Sequence, residues 1–194
     1  MSKFNENNGV LIQGHIKIHD PESGAVFVNK RNAIHYENMS IALAESVANQ
    51  GQGFINAMAF GNGGTSVDPT GIITYLTPNS TGTNASLYNQ TYTKVVDDRS
   101  VTNLDPQRNK IETRHVNGTN YTDVLVTCLL DYGEPNGQDA VDQASQANSL
   151  YVFDELGLVS FSPSGTGKLL THVIFHPVQK SLNRLVQIDY TVRV

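Results

Sequence analysis

Phe54-Ile-Asn-Ala-Met-Ala-Phe-Gly-Asn-Gly-Gly-Thr65 is an apolar run that halts at Gly-Asn-Gly-Gly. The run reads as a buried strand. Glycine and asparagine tolerate positive φ, so the pattern predicts a reversal or kink of the backbone at residues 61–64. Ahead of it, residues 38–51 place Met39, Ala42, Leu43 and Val47 at helical spacing, with Asn38 as the N-cap candidate and Gly51 as the stop. The glycine corner is therefore expected to pack that helix against a sheet. A glycine-rich turn can also offer backbone amides to an anion, but neither a helix nor a lysine follows this one, so no ligand loop is expected. Well downstream stands a second marker, Phe153-Asp-Glu-Leu-Gly-Leu158.

Working outward, strands dominate. Residues 11–20 alternate Ile16 and Ile18 against His15, Lys17 and His19, the period of a half-buried strand. Asp20-Pro-Glu-Ser-Gly24 is turn chemistry and residues 25–28 form a second short strand, so the chain opens with a hairpin ribbon. Further strands are expected at 92–96, 110–115 and 121–130, the last two joined as a hairpin across Asn117-Gly118. Residues 170–175 make another, which Pro177 ends. Residues 184–194 alternate Val186, Ile188, Tyr190, Val192 and Val194 against polar neighbours, a long half-buried strand tied into a sheet. Between these lie two long polar loops, 65–90 and 131–149, the second with a short helix expected around 139–147. Loops of that length are interaction surfaces or mobile arms more often than core.

Composition agrees. Of 194 residues only 16% are charged, and the apolar runs are rich in β-branched residues, which favours strands. A net charge of −5 with no polybasic patch argues against a nucleic-acid binder. No segment has the apolar core of a secretory signal or the roughly 18 apolar residues of a membrane span, so the reading is a soluble protein made in the cytosol. The single cysteine, Cys128, cannot form an internal disulfide and reads as a buried, unreactive thiol. Asn-x-Ser/Thr triplets at Asn38, Asn79, Asn84, Asn89, Asn117 and Asn120 follow from composition and carry no glycosylation expectation.

Candidate chemistry is sparse. Ser162-Pro-Ser-Gly-Thr-Gly-Lys-Leu169 imitates a phosphate-binding loop, but Ser162 replaces the first glycine and Leu169 the magnesium-holding hydroxyl. A strand pattern follows where a helix N-terminus is needed, so the segment reads as a hairpin turn. His172 and His176, like His15 and His19, stand four apart on strands, a spacing of about 13 Å that is too long for one metal ion. They read as solvated or edge-strand histidines. Asp97-Asp98 and Asp154-Glu155 are paired carboxylates without a nucleophile setting, and read as surface charge. No catalytic, cofactor-binding or metal-binding residue is assigned, and no enzymatic activity is expected.

The order of these markers resembles the small β-rich structural domains of tailed-bacteriophage virions, similar to the attachment domains of tail fibres and to collar-type tail proteins. The matching elements are Ala59-Phe-Gly-Asn-Gly-Gly-Thr65 after a helix, Glu155-Leu-Gly-Leu158, Gly167-Lys-Leu-Leu170, Phe175-His-Pro-Val-Gln-Lys180 and Ile188-Asp-Tyr-Thr-Val192. The likeness spans residues 32–194 and lacks the repetitive shaft or receptor-binding tip of a fibre. It implies a structural subunit of the virion, assembling as a multimeric ring or adaptor in the neck, collar, tail or baseplate. Its implied partners are copies of itself and neighbouring virion proteins, without nucleic acid, membrane or small-molecule substrate. A capsid decoration protein and a carbohydrate-binding β-sandwich associated with tail fibres are the alternatives; against the latter, the chain has no tryptophan, although its eight tyrosines offer stacking faces. The expected fold is a mainly β, single β-sandwich-like domain over 1–194 with one amphipathic helix. Its ribbon (1–30) and long loop (65–90) are the candidate contact elements, and deleting 66–88 is expected to impair assembly and leave the domain folded.

Overall fold

A computed structural model describes residues 11–135, 150–165 and 167–194. The expected helix at 139–147 lies outside these residues. Their elements are β1 (Gln13–His19), β2 (Val26–Arg31), β3 (Ala33–Ile34), α1 (Tyr36–Val47), β4 (Ile55–Gly61), β5 (Thr65–Val67), β6 (Ile73–Tyr75), β7 (Gln90–Val95), β8 (Lys110–His115), β9 (Thr122–Leu130), β10 (Leu150–Ser160), β11 (Thr171–Ser181) and β12 (Val186–Arg193). Two antiparallel five-stranded sheets, β2-β1-β12-β9-β8 and β3-β11-β10-β4-β7, form a mainly β, sandwich-like domain, with β5 and β6 as a separate small ribbon.

Strand alternation builds the core. In β12 burial follows the sequence period residue by residue, with Val186, Ile188, Tyr190 and Val192 inward. Ile16 and Ile18 of β1, Val126 and Cys128 of β9, and Met58, Phe60, Phe153, Leu158 and Phe175 of the other sheet join them in one continuous cluster. Full burial of each such side chain contributes about 1.5–3 kcal/mol. An aromatic chain runs through it, Phe153 meeting both Phe60 (5.4 Å) and Phe175 (5.7 Å) edge-on. Cys128 is fully buried there, and burial pushes its thiol up to about 12.

The opening hairpin forms as expected, its turn held by Asp20 Oδ1 accepting from Glu22 N (2.9 Å) and Ser23 N (3.2 Å). It is part of the first sheet: β1 also pairs along its whole length with β12, and β2 is the sheet edge. The β8–β9 hairpin forms across residues 117–118.

Three expectations are corrected. The helix begins three residues earlier, capped by His35, whose ring accepts from Asn38 N; Asn38 lies inside it, buried, while Leu43 and Val47 face outward. β10, not read as a strand, is one of the two longest and sits between β11 and β4. Pro177 does not end β11. Register moves from Phe153↔Val178 to Glu155↔Ile174, so three residues including Pro177 bulge opposite Asp154, and within a bulge the missing proline N–H is tolerated.

Candidate functional site

The two sequence markers meet. β4 ends at Gly61, whose register partner on β10 is Glu155. Odd-numbered residues of β10 near this point, Glu155 and Gly157, face away from the core, as do Ala59 of β4 and His172 of β11, whereas Leu156 and Leu158 face into it. That outer face is not open. Loop 76–89 covers it, with Leu87 packing on Ala59 and Leu169 in a small second core.

Glu155 is fully buried under this cover. Its Oε1 accepts from Asn89 N (2.8 Å) and Gly63 N (3.1 Å), and its Oε2 from Tyr88 N (3.0 Å) and His172 Nε2 (2.9 Å). Neighbouring Asp154, re-aimed by the bulge, reaches the same corner: its Oδ1 accepts from Gly64 N (2.9 Å) and its Oδ2 from Thr65 N (2.9 Å) and from the Thr65 hydroxyl. The corner at 61–65 is an anion nest of successive backbone amides, and the anions are the protein's own carboxylates. Burial raises the Glu155 pKa, but the His172 bond and the three backbone N–H groups outweigh it and hold the carboxyl below its ordinary value.

Close approach explains the glycines. The chain bends at residues 62 and 64 as expected, but none of Gly61, Gly63 and Gly64 has the positive φ on which that expectation rested. A Cβ on Gly61 would lie 2.5 Å from Asn89 O and from Glu155 Oε1, and one on Gly63 2.8 Å from Asn89 N. The corner also does not join the helix to the sheet; it joins β4 to β5, and the covering loop packs back onto it through Tyr88 and Asn89.

Two buried histidines secure that loop. A backbone N–H can only donate, so the 2.8 Å contact from Asn79 N makes His172 Nδ1 an acceptor and leaves the proton on Nε2, facing Glu155. His35 repeats the arrangement: Nδ1 accepts from Asn38 N (3.2 Å) and Nε2 donates to Gly82 O (3.0 Å). Strand and helix thus each hold segment 78–84 through a neutral imidazole.

The remaining candidates scatter. His172 is fully buried and not solvated as expected, while His176 is exposed and meets Tyr75 OH at 3.3 Å. His15 is exposed, and His19 pairs with Asp189 at 2.9 Å. Asp154 and Glu155 are interior groups, correcting the surface-charge reading; of the other pair, Asp98 is exposed but Asp97 is buried, accepting from Arg99 Nε at 3.0 Å. Residues 162–169 belong to the β10–β11 connection, clamped by Ser160 N donating to Lys168 O (2.9 Å). Sequence reasoning missed the roles of His35 and Asn79. The signal for Glu155 was legible: an acidic pair enclosed by Phe153 and Leu156 inside an apolar run.

Every oxygen of the two carboxylates is engaged by the chain itself, an arrangement that locks the corner, strand β10 and the covering loop together. Compared with protein-family models, curated proteins and solved structures, the chain matches none of them.

Proposed function

We propose that this chain is a non-enzymatic structural subunit of a tailed-phage virion, assembling as a multimeric ring or adaptor in the neck, collar, tail or baseplate. The observation that carries the reading is the locked corner. The two motifs on which the virion resemblance rests, 61–65 and 155–158, meet in one buried hydrogen-bonded centre that fixes the covering loop. From that base the β5–β6 ribbon and its flanks present Val67, Ile72, Tyr75 and Leu76 to solvent, apolar residues that a rigid contact surface would use. Open sheet edges at β2, β3, β7 and β8 add backbone groups for strand addition across a subunit boundary. Ring closure would repeat a modest contact many times over.

Native mass measurement of the purified chain, with copy-number analysis of purified particles, tests the proposal. A closed oligomer present at a small fixed number per tail is expected. Copy numbers on the scale of the capsid lattice would move the reading to a decoration protein, and absence from particles would overturn it.

A further inference from the structure

The chain contains the dipeptide Asn-Gly four times, at 8–9, 62–63, 117–118 and 136–137, and the structure describes two of them. In such a pair the glycine backbone nitrogen can attack the asparagine side-chain carbonyl carbon. The side-chain nitrogen leaves as ammonia and a five-membered succinimide forms. Water then opens the ring at either carbonyl, giving aspartate or the backbone-shifted isoaspartate. Water is the only co-reactant, and the missing glycine Cβ leaves the approach unhindered.

The fold treats its two described copies in opposite ways. At the corner, Gly63 N is held by Glu155 Oε1 at 3.1 Å, Asn62 Oδ1 accepts from Asn89 Nδ2 at 2.6 Å, and Tyr88 and Asn89 crowd Gly63 to within 2.9 Å of where a Cβ would stand. The attacking nitrogen is thereby committed to Glu155, and the Asn62 side chain is held in place by Asn89 within a crowded corner that restricts the rotation ring closure needs. At the β8–β9 turn, Asn117 and Gly118 are exposed, and nothing lies within 4 Å of a Cβ placed on Gly118. The turn is closed by Thr119 N and Oγ1 donating to Val116 O (3.1 and 2.7 Å). Among the described residues no hydrogen bond engages Gly118 N or the Asn117 carboxamide.

We propose that Asn117 is a spontaneous modification site, converting to aspartate and isoaspartate as the folded protein ages, while the same dipeptide at the corner is protected by the carboxylate lock. Conversion adds a negative charge, and in the isoaspartyl form a backbone methylene, to a hairpin whose edge strand carries Lys110, Arg114 and His115.

The test is to age the intact protein at mildly alkaline pH, map peptides by mass spectrometry, and label isoaspartate with an isoaspartyl methyltransferase and a radiolabelled methyl donor. The Asn117 peptide should gain the mass of amide-to-acid conversion and the label. Asn62 should convert at least about tenfold more slowly, because its reaction waits on a locally opened corner, and in denaturant the two rates should converge. Asn117→Gln should remove the label from that peptide alone; the exposed turn makes a folding failure an unneeded explanation. Peptides containing Asn8 and Asn136 are resolved separately. The proposal is overturned if Asn117 converts no faster than Asn62 in the folded protein. It is equally overturned if a free peptide spanning 110–122 converts while the folded chain does not.

Discussion

At the scale of single residues, Gly61 and Glu155 depend on each other. A methyl group at position 61 would stand 2.5 Å from Glu155 Oε1 and Asn89 O, whereas at position 64 the nearest atoms are at 3.0–3.1 Å. Gly61→Ala should therefore cost about 1–3 kcal/mol through forced displacement of the covering loop, and Gly64→Ala less than about 1 kcal/mol; paired chemical denaturation curves measure the difference. Acid should act on the same centre. Because the folded-state pKa of Glu155 is lowered, the stabilisation it gives is present above the ordinary value of 4.5 and is lost as pH falls below that value through the folded one. Glu155→Gln, which turns an amide donor toward groups that already donate, should lower the denaturation midpoint at neutral pH and flatten its fall below pH 4.5. An unchanged acid slope would remove Glu155 from the account. These roles were half legible in the sequence. The acidic pair reads there as surface charge although it sits within an apolar run, and its ligands come from residues 63, 88 and 89, whose approach no local pattern encodes.

At the scale of elements, periodicity was readable wherever one face of a strand meets the core and the other meets solvent. That holds for β12 and for the buried face of β1, both read correctly. β10 escaped because the covering loop buries its outer face too, so its sequence has no period two. The bulge in β11 hid behind Pro177, which locally argues for a strand end. The start of α1 escaped for a related reason: an imidazole cap at His35 is less usual than the asparagine two residues into the helix. The covering loop itself read as an interaction surface or a mobile arm because its composition is polar, yet Asn79 N, Gly82 O, Tyr88 N and Asn89 N are spent on the buried His172, His35 and Glu155. His172→Phe isolates that anchoring. Asn79 N would lose its acceptor and Glu155 one donor, a cost of about 1–3 kcal/mol. Hydrogen exchange should then accelerate at Asn79 and its loop neighbours and stay slow in β12; protection at Asn79 equal to that of the unsubstituted protein would refute the anchor.

At the scale of the whole molecule, the loop's double duty changes how assembly can be tested. Deleting 66–88, the obvious test from sequence, would remove Leu87 from the second core and Tyr88 N from Glu155, so lost assembly could not be separated from lost folding. The lock divides the loop into an inner part that the sandwich needs and an outer ribbon that it does not. Val67 and Ile72, opposite ends of the β5–β6 turn at 62% and 63% exposure, belong to the outer part. Substituting both with serine removes exposed apolar area without touching any bond to Asp154, Glu155, His172 or His35. If the ribbon is a contact between subunits, Val67→Ser with Ile72→Ser should leave the denaturation midpoint within about 0.5 kcal/mol of the parent and shift native mass toward the monomer. An oligomer that survives with unchanged mass would exclude the ribbon as a subunit contact and turn attention to the edge strands β2, β3, β7 and β8, whose outer sides have no strand partner among the described residues.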